Sequence, residues 1–364
     1  MLKPSYVIPP MPPTAELETV PVLKALARAS RALADLKGQA RTIPNQGILI
    51  DTLALQEAKA SSEVENIVTT QDELFQADLF PDDPQSPAAK EVALYRDALR
   101  LGYARLNETG GLIPNSALID MFRLLKGRSD GFRVTPGTAL KNEQTGAIVF
   151  VPPQDAPEIM DHMSALERFI NDDDLCALDP LIKMALIHHQ FESIHPFPDG
   201  NGRIGRILNV LYLTRTGLLD IPVLYLSRFI TRNKTDYYRH LQAVRDTGDW
   251  ESWVIYMLEA VAETSATTIE LVTGIRQQMA DVKHRLRDEL PKIYSQELLN
   301  NLFRHPYTRI EYLQNDLGVS RQTAAKYLDT LAERGLVEKH RSGKNNYFIN
   351  VTLVKLFLDV SGGP

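Results

Sequence analysis

Residues 195–206, read HPFPDGNGRIGR, constrain this chain more than any other stretch. Pro196 and Pro198 lack the N–H that a helix interior needs and push their predecessors towards extended geometry, so the first half stays out of a helix. From Asn201 the pattern changes. Ile204, Ile207, Leu208, Leu211 and Tyr212 recur at three- and four-residue steps, which is the spacing of an amphipathic helix. The turn Gly200-Asn201-Gly202 therefore opens directly onto a helix N-terminus. Unpaired amides converge there and the helix dipole favours negative charge, so an anion is the expected occupant.

The neighbouring side chains fit that occupant. Arg203 and Arg206 stand three apart on one face of the first turn, where two guanidiniums oppose the dipole and each other. A polyphosphate or a carboxylate would remove that penalty. Asp199 has the chemistry to hold a magnesium ion, which prefers one or two carboxylates plus phosphate oxygens and water. His195 is the nearby group whose ordinary pKa suits proton removal near neutrality. Taken singly, each part has a blander reading as turn, packed loop residue or solvated pair. Their order within twelve residues reads as transfer of a phosphate-containing group from a nucleotide to a hydroxyl. No Walker-type Gly-x4-Gly-Lys-Ser/Thr run occurs.

This run resembles the signature of Fic-domain proteins, HxFx(D/E)GNGRxxR, and matches it at every fixed position. The resemblance implies a mainly α fold, a Fic-type helical core carrying a β-hairpin flap. It implies transfer of AMP from ATP to a Ser, Thr or Tyr hydroxyl of a target protein, with pyrophosphate leaving. His195 would be the general base, Phe197 a core anchor for the loop, and Asp199 the Mg2+ ligand. Gly200, Asn201 and Gly202 would form the anion hole, with Arg203 and Arg206 on the β- and γ-phosphates. Ile204 and Gly205 complete the nucleotide-binding run. Such chemistry needs positioning and charge neutralisation above all.

A second stretch gains meaning beside the first. A helix is expected over 19–37 and another from about 48, the latter carrying residues 58–66. On a helix Glu65 falls one turn after Ser61. Alone this is a surface helix end. With the signature present, Ser61-x-x-x-Glu65-Asn66 resembles the inhibitory motif of some Fic proteins, whose glutamate pairs with the second signature arginine, here Arg206. A carboxylate there competes with the γ-phosphate through a charge-assisted pair.

Residues 81–87 read as a linker, with helices following near 88–105 and 115–125. Phe132-Arg133-Val134 and residues 147–151 then flank a polar turn containing Asn142, Glu143, Gln144 and Gly146, which reads as a hairpin. The resemblance makes this the flap that holds a target backbone by strand pairing, with Ile148, Val149 and Phe150 at the edge. Helices near 157–169 and 180–192 lead to His195. His188 and His189 are adjacent, so they point to different helix faces and are expected to be structural. Relatives place an apolar or aromatic surface against adenine near 237–245, and Tyr238 is the residue expected there. A long helix is expected from Trp250 towards 271, then a charged helical connector.

Beyond Pro291 three helices and a basic hairpin resemble a winged helix-turn-helix domain. Ser320 is the expected N-cap of the third helix and Gly335 its stop. Two strands, over 336–340 and 346–349, flank the turn Arg341-Ser342-Gly343-Lys344. Residues 290–350 hold nine Lys/Arg and six Asp/Glu, a charge of +3 against −6 for the whole chain. If this domain meets DNA, Arg321, Gln322 and Lys326 would face the groove; a protein-interaction wing is the other reading.

The resulting division is 1–110 for an N-terminal helical region with its motif at 61–66, and 111–272 for the core with flap 132–153. A connector follows over 273–291 and a winged helix-turn-helix over 292–360. With 44% hydrophobic and 24% charged residues and a net charge of −6, bulk attraction to nucleic acid or anionic membrane is disfavoured. No apolar run approaches a membrane span, no signal-peptide core follows Met1, and the single Cys176 fits a reducing cytoplasm. An autoinhibited adenylyltransferase is the leading expectation. Removal of AMP or transfer of another nucleotide-derived group on the same fold, and a DNA-binding regulator with a Fic sensor core, stand as alternatives. A homodimer is left open.

Overall fold

Helix α1 (Val20–Ala40) begins where Thr19 accepts the Val22 amide and a proline occupies the first turn, so the missing N–H is no loss. Helix α2 (Gly47–Val64) buries most of its length, including the polar Glu57, Ser61 and Ser62. Helix α3 (Gln71–Leu79) opens with a reciprocal capping box between Thr70 and Glu73. Helices α4 (Pro87–Glu108) and α5 (Asn115–Lys126) follow, the latter stopped by Gly127 in the left-handed region. The computed structural model describes residues 6–80, 86–141, 145–342 and 345–361. Most of the expected linker, residues 81–85, lies outside them, and Pro87 already belongs to α4.

The hairpin is present but shorter and later than expected. Strand β1 (Leu140–Lys141) pairs antiparallel with β2 (Ile148–Phe150). Residues 132–134 are not a strand. Arg133 is buried there, and its guanidinium is turned inward onto backbone carbonyls, which takes this stretch out of any alternating edge. Asn142, Glu143 and Gln144 of the turn lie outside the described residues.

Helix α6 (Ala156–Asn171) packs on α7 (Pro180–Ile194), which is buried at every position from Leu181 to Ile194. A helix buried around its whole circumference belongs at the centre of a bundle, and α7 is that centre. Its histidines serve packing. His188 pairs with Tyr237 Oη at 2.7 Å and lies near-parallel to Trp253, while His189 meets Leu241 O and Trp250. Helix α8 (Asn201–Arg215) lies beside α7, followed by α9 (Ser227–Arg232) and α10 (Lys234–Thr247). Helix α11 (Trp250–Glu289) runs 40 residues without a break and packs along α1. The separate connector is therefore the second half of α11. Val272, Ile275, Met279 and Leu286 continue its buried stripe at helical spacing.

The C-terminal module contains α12 (Gln296–Arg304), β3 (Tyr307–Thr308), α13 (Ile310–Leu317) and α14 (Arg321–Glu333). Strands β4 (Glu338–Ser342) and β5 (Asn345–Ile349) and helix α15 (Val351–Ser361) complete it. Ser320 caps α14 by accepting the Thr323 amide, and Gly335 follows it at φ 63°. The sheet order is β3-β5-β4, all antiparallel. Strand β3 and helix α15 were not anticipated: two residues are too few for alternation to show. The module docks on the N-terminal helices. Tyr307 stacks on Phe75 of α3 at 5.0 Å, its hydroxyl donates to Asp72 at 2.5 Å, and Arg304 pairs with Asp51 of α2. Helix α15 packs on α11. Among the described residues no helix is long and apolar enough to cross a membrane.

Candidate active site

Helix α7 delivers the chain to His195, which ends it in the left-handed region at φ 51°, ψ 58°. Histidine is one of the side chains enriched there. Three devices hold the loop that follows. Asn201 reaches back to both polar groups of Phe197, accepting its amide at 2.8 Å and donating to its carbonyl at 2.7 Å. The Phe197 ring is fully buried and stacks on Phe122 at 4.3 Å, with Phe132 against it. Arg133 donates from Nε to His195 O at 2.8 Å and from Nη2 to Ile194 O at 3.3 Å and to Pro153 O, while its amide donates to Pro196 O. Gly200 then turns the chain at φ 78°, a value that glycine adopts without strain, and α8 begins.

The first-turn amides of α8, on Asn201, Gly202 and Arg203, lack intrahelical acceptors by geometry and line the cradle. Burial is the main reason that the half-buried His195 is pushed down to about 4, with the Arg133 and Arg245 guanidiniums adding to it. The ring is therefore neutral at pH 7, and its Nδ1 has no hydrogen-bond partner among the described residues. A neutral imidazole accepts a proton; an imidazolium does not. Asp199 is largely exposed. Its Oδ1 accepts the Gly200 amide at 2.6 Å and its Oδ2 meets Lys126 Nζ at 2.7 Å. Against the opposing effect of burial, Lys126 holds this carboxyl below the usual carboxylate range.

Both arginines are nearly inaccessible, at 2% exposure for Arg203 and 1% for Arg206. Arg206 donates from Nε to Ser61 Oγ at 2.8 Å and from Nη2 to Ser61 O at 2.9 Å and Glu65 Oε1 at 2.7 Å. Burial opposes its charge, and the Glu65 carboxylate more than offsets that, leaving its pKa raised. Glu65 also lies directly over the cradle: a Cβ on Gly202 would overlap Glu65 Oε1 and come within 2.9 Å of Arg206 Nη1. The carboxylate thus occupies the positive end of α8, where an anion would bind. Behind it, Glu57 is buried and pushed up to about 7 by desolvation, although Ser227 and Tyr95 donate to it. Glu192, also buried, is pushed up to about 7.

Other expected site residues fall in different places. Ile204 is fully buried and its amide donates to Gly200 O at 3.1 Å, so it stabilises the helix and offers an anion nothing. Gly205 lies deeper in α8, its carbonyl facing His188 Nδ1 at 3.4 Å. Ile148 and Val149 are exposed on β2, but Phe150 is a core residue under the Arg245 guanidinium, 3.7 Å from its ring. Phe150 therefore anchors the flap and is not part of its edge. Tyr238 is 44% exposed on α10, edge-on to Tyr237 at 5.1 Å. Asn66 has φ 60° and accepts Lys234 Nζ at 2.8 Å. On α14, Gln322 and Lys326 are exposed, whereas Arg321 is paired with Glu311.

Arg133, Glu91 and Lys126 escaped the sequence reading. Glu91 Oε1 accepts Arg203 Nη1 at 2.6 Å and Lys126 Nζ at 2.9 Å. Each is a single charge in an ordinary helix or loop, and no local spacing marks it. Among the described residues no cluster of three His, Cys, Asp or Glu side chains could hold a metal. One exposed carboxylate, Asp199, at the edge of an anion cradle fits an ion that completes its shell with phosphate oxygens and water. A cleft of about 440 Å³ opens beside the loop, lined by Phe132, Val134, Pro136 and Pro198 among others.

Comparison with known proteins gives three family models over most of the chain. "Fic/DOC family N-terminal" matches residues 23–104 and "Fic/DOC family" residues 115–213. "Protein adenylyltransferase SoFic-like, C-terminal domain" matches residues 278–353. The protein adenylyltransferase fic-1 of Caenorhabditis briggsae is 30% identical over 162 residues, 43% of this chain and 28% of that protein. A probable protein adenylyltransferase of Aquifex aeolicus is 27% identical over 185 residues, 50% of this chain and 54% of its own length. The chain thus spans less than a third of the length of the first curated relatives it matches. A Fic family protein from Desulfovibrio desulfuricans G20 has the same fold, with TM-score 0.58, 20% identity and coverage of 96% of this chain and 98% of that one. Fic-1 from C. elegans gives TM-score 0.52 at 21% identity, covering 70% of this chain and 74% of that one.

Proposed function

Because the chain belongs to the Fic/DOC family, we propose that it is an autoinhibited protein adenylyltransferase, held off by Glu65. The observation that carries the restraint is the Glu65–Arg206 pair lying over Gly202. Glu65 engages Arg206 and overlies the cradle, so a triphosphate in that position must displace it. The competition is local and reversible: the carboxylate contributes binding energy only when the phosphate is absent.

In the proposed reaction a target hydroxyl lies at the exposed β2 edge, presented by Ile148 and Val149. The neutral His195 ring takes the hydroxyl proton as the oxygen attacks the α-phosphorus of ATP. A new P–O bond joins AMP to the target, the bond to the bridging oxygen breaks, and pyrophosphate leaves. Arg203, Arg206 and the first-turn amides of α8 face the developing negative charge. Magnesium, held through Asp199, would supply charge neutralisation on the phosphate oxygens. Arg133 keeps the His195 backbone in place, and Asn201 holds the loop closed. Tyr238 is the proposed neighbour of the adenine. The compartment we propose is the cytoplasm. The C-terminal module we read as a winged helix-turn-helix used for protein contacts, since Arg321 already pairs with Glu311 and Lys339 with Asp329.

Mass spectrometry of target proteins incubated with the Glu65→Gly variant and ATP tests this reading. An AMP adduct on a Ser, Thr or Tyr hydroxyl, absent with Glu65→Gly/His195→Ala, is the expected result. No adduct on the variant itself or on any protein of a lysate would contradict it.

A further inference from the structure

Lys126 stands between two carboxylates. Its Nζ is 2.7 Å from Asp199 Oδ2 and 2.9 Å from Glu91 Oε1. The three groups come from separate elements: Glu91 from α4, Lys126 from the last turn of α5, Asp199 from the loop before α8. Lys126 is mostly buried, at 19% side-chain exposure, so its ammonium has little water to turn to. Glu91 in turn holds Arg203 through Nη1 alone, and Arg203 Nε has no partner among the described residues. Glu91 therefore differs from Glu65. It engages one corner of its arginine and leaves donors for an anion, where Glu65 overlies the cradle.

An ammonium 2.7 Å from a carboxylate occupies the place where a divalent cation would bind that carboxylate. Two cations that close repel each other, so one must leave. We infer that Lys126 is the resident cation of Asp199, and that Glu91, by drawing Lys126 towards itself, sets how readily a divalent ion is admitted. The inference rests on Asp199 as the metal ligand and adds two positioning residues to that site. Lys126 lowers metal affinity by competing for Asp199, and Glu91 moderates the effect. Once a metal arrives, Glu91, already 2.9 Å from Lys126 Nζ, gives the displaced ammonium a partner.

The test is direct binding of Mn2+ without nucleotide, followed by electron paramagnetic resonance of the free ion, on the full chain. Lys126→Met is expected to tighten Mn2+ and Glu91→Gln to weaken it, each by roughly two- to fivefold, as for partly exposed ion pairs. In the Lys126→Met background the loss from Glu91→Gln should shrink, because its main route of action is gone. Shifts of the same sign, or no shift in Lys126→Met, would overturn the inference. So would an equal loss from Glu91→Gln in both backgrounds, which marks a charge effect acting at a distance. Asp199→Asn separates the two levels: if it leaves Mn2+ binding intact, the metal-ligand reading itself fails. Glu91→Gln strands a buried arginine, so Glu91→Asp, which keeps the charge, is measured beside it and should stay near wild type.

Discussion

The base role proposed for His195 rests on where the ring sits. Burial and two guanidiniums keep it neutral, pushed down to about 4, so protonation does not remove it from service near neutrality. Nuclear magnetic resonance of labelled histidines, with His195→Ala for assignment, should find this ring still neutral at about pH 5.5, a full unit below its ordinary pKa. Half-protonation near 6.5 would contradict that environment. The sign for stability follows. The unfolded chain takes up this proton below about 6.5 while the folded chain refuses it until about 4, so this group costs stability as pH falls through that window. Glu65→Gly should tighten ATP by about five- to 150-fold, the range of one to three kcal/mol for a coupling of this kind, read by calorimetry. Unchanged affinity would remove Glu65 from the phosphate site. At this scale, the signature residues were legible because they are contiguous and each constrains the next. Glu91, Lys126 and Arg133 were not, since a lone charge on α4, α5 or a loop reads as surface until a fold brings partners to it.

Among elements, the loop between α7 and α8 depends on a residue sixty positions upstream. Arg133 ties the carbonyls of Pro153, Ile194 and His195 together from one guanidinium. Arg133→Met should cost about 2–4 kcal/mol of stability, since buried carbonyls lose a charged donor, and should lower turnover more than substrate affinity. Arg133→Lys should not restore it, because a point charge cannot replace the planar fork. Equal melting temperatures for wild type and Arg133→Met would show that the clamp holds nothing. The same residue explains why the flap was read too early. Phe132-Arg133-Val134 has the composition of a strand, and only the fold reveals that Phe132 packs on Phe197 while Arg133 points inward. The helices were more legible, because α5 and α6 bury one face at a regular spacing. The end of α11 was misread because the charged outer face of residues 274–289 masked its buried stripe.

Across the whole molecule, the segment bearing Glu65 hangs between two helices that the C-terminal module holds. Arg304 reaches Asp51 on α2, and Tyr307 meets both Asp72 and Phe75 on α3. Phe75 is buried against Tyr307 and Phe357, so Phe75→Ala should cost about 3–5 kcal/mol. Chemical denaturation measures it, and a loss under 1 kcal/mol would mean that the module barely grips α3. None of this docking was legible in the sequence, because β3 has only two residues and α15, which follows β5, was not anticipated. In the proposed restraint, the Glu65 carboxylate stands in for a phosphate until ATP displaces it. Its most direct measurement compares transfer of label from ATP labelled in the α- or the γ-phosphate, by wild type and by Glu65→Gly, in a lysate with magnesium. Strong protein label from the α-position, in the variant and not in wild type, with γ-label no higher than in the lysate alone, is the predicted result. Equal α-label in both proteins would contradict restraint by Glu65, and γ-label that rises on adding the variant, without α-label, would contradict adenylyl transfer.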